Sequence, residues 1–190
     1  IKPNKIQYSY RNNKPQHGKY MIKILRNVQH TDFYDRKAIF SKASEQLLSS
    51  GYNRAGFESY ALPNDILSKS MDQGKAYYAS LGTQKGDVTN FVAVGSSAHG
   101  CLGNDVYFQN FYEQNLYMDA LDNNKFPIYR GMVLSTDDKI RQLIVKTIRT
   151  YFKISFEEIN EKFKINFLDY FSSELKLLKN FEKDGLLNIS

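Results

Sequence analysis

Residues 91 to 138 constrain this chain more than any other stretch. They read FVAVGSSAHGCLGNDVYFQN over 91–110, then YRG at 129–131 and TDD at 136–138. The apolar run FVAV predicts a buried strand. It leads into a loop of glycine and small residues holding one histidine, His99. A strand end followed by a Gly-rich loop is a place where backbone can come close to a ligand. The surrounding sequence offers little else that a complete enzyme would need.

The chain has 190 residues, 42% of them hydrophobic and 24% charged, which suits one soluble domain or two small ones. Its single cysteine, Cys101, excludes a disulfide framework or a multi-cysteine metal site within one copy. A reducing, cytoplasmic setting is the expectation. No apolar run approaches the ~18 residues of a membrane span, so no membrane partner is expected. No charged, apolar, small-residue series at the start reads as a signal peptide. The chain begins at Ile1 and stops at Ser190 just after a helix-turn signal, so it is expected to be a fragment of a longer product. Net charge is +6, but no dense Lys/Arg block exists. The charge reads first as a solvated surface. Among anionic partners, the scattered arrangement argues against nucleic acid and leaves a polycarboxylate ligand open.

KIQYSY (5–10) reads as a short strand and RNNKPQHGK (11–19) as a polar loop with Pro15 and Gly18. Residues 32–50 predict an amphipathic helix, with Phe33, Ile39, Phe40, Ala43, Leu47 and Leu48 near helical spacing and Gly51 as its stop. GFESYAL (56–62) is a strand candidate ended by Pro63. Helix, glycine, strand is α/β organisation, as in the last units of a larger barrel or open sheet. Residues 64–75 predict a short helix capped by Asn64, residues 77–87 a loop, and residues 107–123 a helix.

The character changes near residue 132, so two domains are expected, 1–131 and 132–190. Thr136, Asp137 and Asp138 form an acidic first helical turn that suits the helix dipole. Ile140, Leu143, Ile144, Ile148, Tyr151 and Phe152 form its apolar stripe. Ser155 and Glu158 have capping-box spacing for a second helix. Residues 167–183 predict a third, with Leu175, Leu177, Leu178 and Phe181 inward, before Gly185 turns the chain into a strand. Three helices and a strand outline a winged-helix unit. The fold class is α/β followed by mainly α.

Among candidate chemical groups, a loop histidine such as His99 is more often a surface or hydrogen-bonding residue than a catalyst. GSSAHG has neither the dinucleotide spacing G-x-G-x-x-G nor the nucleophile elbow G-x-S-x-G. Cys101 reads as inert packing. Asp137 and Asp138 could ligate a metal, but helix capping already explains them. Arg130, between Tyr129 and Gly131, could clamp a carboxylate bidentately or form an ordinary ion pair.

The ordered motifs resemble a known family. GYNRAGFESYALPND (51–65) is similar to the segment that closes the radical-SAM barrel in oxygen-independent coproporphyrinogen III oxidases. The resemblance continues through VAVGSSAHGCLGNDVYFQN, YRGMVLSTDDKIRQLIVKTI and FLDYFSSELKLLKNFEKDGLL, covering roughly residues 50–187 in order. It implies the last βα units of a radical-SAM-type barrel plus a helical, winged-helix-like C-terminal domain that covers the active-site opening. It also implies a [4Fe-4S] cluster, held by a C-x-x-x-C-x-x-C motif, that cleaves S-adenosylmethionine. The adenosyl radical then takes hydrogen from a propionate, and loss of carbon dioxide and an electron leaves a vinyl group. The hard chemistry belongs to the cofactor.

This sequence lacks that motif, so the resemblance places the cluster ligands in a missing N-terminal half, and the 190 residues are expected to be inactive alone. Two positions carry over as S-adenosylmethionine contacts. Ser9 matches a small residue of a family strand, and His99, flanked by Ser97, Ala98 and Gly100, matches a residue of the Gly loop where aliphatic residues also occur. One departure is YYASLGTQKG, which replaces the family's aromatic-Gly-Tyr stretch although Gly86 and Asp87 remain. It leaves the tetrapyrrole open between coproporphyrinogen III and haem, the latter handled by sibling chaperones and haem-degrading methyltransferases. A winged-helix nucleic-acid binder over 132–190 is a third reading. Its recognition helix would carry Asp169, Glu174 and Glu182 against Lys176, Lys179 and Lys183, a balance poorly suited to phosphate.

Overall fold

A computed structural model of the chain describes residues 2–9, 33–79, 82–86 and 90–189. The polar loop expected at 11–19 lies outside them. The chain forms two compact units: residues 1–87 with 149–151, and residues 88–148 with 152–190. No helix among the described residues is long and apolar enough to cross a membrane.

In the first unit, β1 (Lys5–Gln7), β2 (Asn53–Arg54) and β3 (Ser59–Ala61) make a sheet of order β1-β3-β2. The first strand is shorter than KIQYSY suggested, ending at Gln7. Helix α1 (Phe33–Ser49) turns Phe40, Ala43 and Leu47 toward partial burial. Ile39 and Leu48 of the expected stripe stay exposed. Gly51 ends the helix at φ +84°, with the amides of Gly51 and Tyr52 closing on the Leu48 and Leu47 carbonyls. The Tyr8 ring lies 4.6 Å from Phe40 and 5.6 Å from Tyr60. The Tyr8 hydroxyl donates to the Phe40 carbonyl, and the buried Tyr60 hydroxyl donates to Ser44 Oγ.

Helix α2 (Ile66–Asp72) is capped by Asp65, not Asn64: Asp65 Oδ1 accepts from the Leu67 amide at 2.7 Å. The segment read as a loop at 77–87 instead contains β4 (Ala76–Ala79) and β5 (Gly82–Lys85), an antiparallel pair. Tyr77 and Tyr78 face Gln84 and Thr83, and aromatic and β-branched residues fit a half-buried pleated surface. Tyr151 holds this pair, its hydroxyl donating to the Ala76 carbonyl and accepting from the Ala76 amide, both at 3.0 Å. Arg149 stands over the rings of Phe57 and Tyr78.

In the second unit, β6 (His99–Leu102), β7 (Val106–Asn110) and β8 (Ile128–Val133) form a sheet in sequence order. The helix expected over 107–123 is therefore half strand, and only α3 (Gln114–Asp122) is helical. The deciding signal is Gly103-Asn104. Both have φ near +60°, and the Asp105 amide closes on the Leu102 carbonyl, a tight hairpin turn that commits the residues after it to pairing. FVAV is not a buried strand. Only Phe91 pairs, in an isolated bridge to Cys101, while Val92 is 71% and Val94 88% exposed.

Helix α4 (Thr136–Tyr151) starts at a full capping box. Ser135 Oγ accepts from the Asp138 amide, and Asp138 Oδ2 accepts from the Ser135 amide at 2.9 Å. Helix α5 (Phe156–Phe163) begins at Ser155, which accepts from the Glu158 amide as its spacing predicts. The single third helix expected over 167–183 is broken at Phe171 into α6 (Phe167–Tyr170) and α7 (Ser172–Lys183). The break lets Phe171 join Ile140, Ile159 and Phe167 in the core, with Phe156 stacked on Phe167 at 4.2 Å. Leu175 packs there too, but Leu177 and Phe181 are exposed. Gly185 does turn the chain, at φ +70°, yet residues 186–189 form no strand. The Ile189 amide bonds Glu182 instead, so the wing of a winged helix is absent among the described residues.

The mixed α/β content expected before residue 132 is present. Every strand ladder among the described residues is antiparallel, so none is a parallel βα repeat. Strand β8 runs through 131/132 without interruption.

Candidate functional site

The loop at 95–98 is held by the end of β7. Asn110, 4% exposed, sends its side-chain amide to the carbonyls of Ala93 at 3.2 Å and Gly95 at 3.0 Å. Its backbone amide bonds the Ala98 carbonyl. One residue beyond the Phe91–Cys101 bridge the chain leaves the sheet, and the Asn110 side chain takes over the hydrogen bonds a strand would have supplied. Tyr117, on α3, accepts from the Gly95 amide at 3.0 Å, and the Ser97 amide donates to the Phe111 carbonyl at 2.8 Å. Two loop donors are thus already occupied, so the loop is a rigid wall rather than an open anion cradle. Gly95 and Ser97 both have positive φ, a conformation that costs Ser97 some strain and that glycine adopts freely.

His99 is the first residue of β6, exposed, and paired across the ladder with Gln109. Gln109 in turn pairs with Arg130. Arg130 Nε donates to Gln109 Oε1 at 2.9 Å, and Gln109 Nε2 reaches the Ser97 carbonyl and hydroxyl. Three strands and the loop therefore meet in one polar row. Next to it the Arg130 guanidinium stands 5.8 Å over the Tyr129 ring, which meets Tyr112 edge-on at 5.3 Å. The hydrogen bond with Tyr129, and secondarily the Glu113 charge, raise the Tyr112 phenol above its ordinary value.

The opposite side of the same sheet is apolar. Phe108 lies between Gly100 on β6 and Gly131 on β8. A Cβ on Gly100 would fall within the Phe108 ring. Around this ring Val94, Leu121, Phe126, Ile128 and Val133 line an open cavity of about 810 Å³.

Ser9 belongs to the other unit, exposed and two residues past the end of β1. Asp137 and Asp138 serve the helix start: Asp137 accepts from Arg141 Nε and Tyr170, and Asp138 from Ser135. These bonds hold both carboxyls below the usual range. Cys101 is buried. The sequence does not mark Asn110, Gln109 and Tyr117 as structural determinants: YFQN shows only that polar residues follow an apolar stretch, and their partners lie 12 to 22 residues away.

No family model matches the sequence. Among curated proteins, the oxygen-independent coproporphyrinogen III oxidase of Pseudomonas aeruginosa is 31% identical over 151 residues, which is 80% of this chain and 33% of the relative. That of Escherichia coli is 33% identical over 144 residues, covering 75% and 31%. That of Helicobacter pylori is 26% identical over 177 residues, covering 92% and 38%. The chain is related to the oxygen-independent coproporphyrinogen III oxidases. It spans about a third of the length of the curated relatives it matches. The solved structure of coproporphyrinogen III oxidase from Escherichia coli, described as a radical SAM enzyme, matches all of this chain and 43% of its own, at TM-score 0.84 and 26% identity. The match lies in the C-terminal portion of the oxidase.

Proposed function

We propose that this chain is the C-terminal part of a radical-SAM coproporphyrinogen III oxidase, which converts propionate side chains of coproporphyrinogen to vinyl groups. The observation that carries this reading is the match to the Escherichia coli oxidase over the whole chain, at TM-score 0.84 and 26% identity. Residues 1–131 would contribute the closing part of the barrel and its extension, and 132–190 a helical cover. Ser9 and His99 would contact S-adenosylmethionine, His99 as part of a wall fixed by Asn110 and Tyr117.

The [4Fe-4S] cluster does not fit the residues present. Cys101 is the one cysteine and is buried, and no group of three or more His, Cys, Asp or Glu converges among the described residues. Cluster ligands would belong to the part of the longer relatives that this chain does not span. Nothing here routes electrons through the chain's own side chains; its work is to bind, orient and exclude water.

The test is an anaerobic assay of the full-length protein carrying this sequence, with reconstituted iron and sulfide. Coproporphyrinogen III and S-adenosylmethionine should yield protoporphyrinogen IX and carbon dioxide. S-adenosylmethionine cleavage without decarboxylation, together with consumption of haem, would assign the chain to a haem-handling relative.

A further inference from the structure

Arg130 has a built setting and, among the described residues, no ion-pair partner. It is exposed at the edge of the β6-β7-β8 sheet. The described ion pairs go elsewhere: Lys139 with Asp105, and Arg141 with Asp137 and Glu174. Of the two roles open to Arg130 in the sequence, the ordinary ion pair is therefore not formed among the described residues. What the side chain does have is an anchor. Gln109 fixes Nε, Ser97 fixes Gln109, and the Tyr129 ring lies beneath the guanidinium. A guanidinium carries five N–H donors in a rigid fork, and one is used here. Both Nη groups are left for two oxygens of one anion.

The backbone supports the same reading. The β7–β8 register shifts between Gln109 and Asn110: Gln109 faces Arg130, while Asn110 faces Ile128. Tyr129 is the extra residue of a β-bulge, a device that re-aims side chains and often lies beside functional sites. Its effect is to put an aromatic shelf, Tyr129 with Tyr112, alongside the fork, and both rings are about half exposed. A polar fork beside exposed aromatic faces suits a ligand with both carboxylates and flat apolar rings.

We propose that Arg130, positioned by Gln109 and Ser97 and flanked by Tyr129 and Tyr112, binds a carboxylate of the substrate, a tetrapyrrole propionate. The source of that carboxylate rests on the oxidase reading; the fork itself does not. A second source with the same chemistry is the methionyl carboxylate of S-adenosylmethionine.

The two are separated by titrating the full-length protein carrying this sequence with coproporphyrin III, with its tetramethyl ester, and with S-adenosylmethionine, for the wild type, R130K, R130Q and Q109A. Arg130 is exposed, so circular dichroism and thermal unfolding of R130Q should match the wild type. The expected result is porphyrin binding that R130Q weakens by about tenfold or more, the size of one charge-assisted contact. R130K should fall between, because it keeps the charge and loses the fork. Q109A should weaken binding less than R130Q, and the ester should bind the wild type no better than the acid binds R130Q. Arg130-dependent binding of S-adenosylmethionine, with none of porphyrin, keeps the carboxylate site and removes the tetrapyrrole source. Equal binding of porphyrin acid by wild type and R130Q overturns the site while the oxidase assay can still succeed. Absence of binding by the wild type to every probe overturns it as well.

Discussion

The side-chain amide of Asn110 donates to the backbone carbonyl of Gly95 at 3.0 Å, and so stands in for a neighbouring strand where FVAV leaves the sheet. The Asn110 side chain is buried between two carbonyls, that of Ala93 and that of Gly95, the latter also accepting from the Ala98 amide. N110A should lower unfolding free energy by about 1 kcal/mol, the net worth of a typical hydrogen bond, since the Gly95 carbonyl keeps a donor. N110D should be worse, since a carboxylate would face two carbonyl oxygens. Chemical denaturation measures the first effect, and hydrogen exchange at the Ser97 amide should accelerate in both variants.

Gly100 and Phe108 form a second coupled pair. G100A should destabilise the sheet because its methyl group needs the space of the Phe108 ring. F108A should destabilise it by about 3–5 kcal/mol if the ring were fully buried, and by less here because the ring is only partly so. The double variant G100A/F108A should cost less than the sum of the two, a coupling of about 0.5–3 kcal/mol readable from a double-mutant cycle. Strict additivity would contradict the packing.

Acid should act on the start of α4. Asp137 is held below the ordinary carboxylate range mainly by Arg141 and Tyr170, Asp138 by Ser135, and Glu174 by Ser173 and Arg141. Each folded value lies below the unfolded one. Their stabilisation is therefore present above the ordinary carboxylate range of about 4 and is lost as pH falls through the depressed folded values. Thermal midpoints measured from pH 7 downward should decline in that window. R141Q should flatten the decline, while S135A should lower stability at neutral pH by about 1 kcal/mol through loss of the cap. An unchanged acid limb in R141Q would show the network to be energetically silent, as exposed ion pairs can be.

Base should act on Tyr8. Burial first, and then its hydrogen bond to Tyr60, push the Tyr8 phenol well above its ordinary value. An acid whose folded value is raised contributes stability below the unfolded value and loses it as pH rises through the folded one. Spectrophotometric titration should show a tyrosine that ionises only with unfolding, and Y60F should advance its ionisation.

The elements that could be read from the sequence are those written in local rules. Helix α4 carries an acidic first turn in Thr136, Asp137 and Asp138 and sets Ile140, Leu143 and Ile144 on one side; α1 ends on Gly51 as a glycine stop requires. Strand β4 could not be read this way, because Tyr77 and Tyr78 alternate with nothing. At β7 the spacing of Tyr107, Phe111 and Leu116 imitates a helical stripe, and the local signal that overrules it, the Gly103-Asn104 turn, stands before them. In the site, Arg130 stood out by chemistry alone. Its anchor did not, because Gln109 is 21 residues away and the contact exists only through strand pairing. The role of Asn110 was hidden for the same reason.

The row Gly100–Phe108–Gly131 has an evolutionary corollary. A side chain added at Gly100 would collide with the Phe108 ring, whereas a Cβ on Gly131 would come within 2.9 Å of the Tyr107 carbonyl oxygen, a backbone atom that no substitution removes. Sequence drift at Gly100 and Phe108 is therefore locked together, while Gly131 is held bare whatever stands at 108. A descendant that replaces the phenylalanine with a small residue frees Gly100 alone to vary.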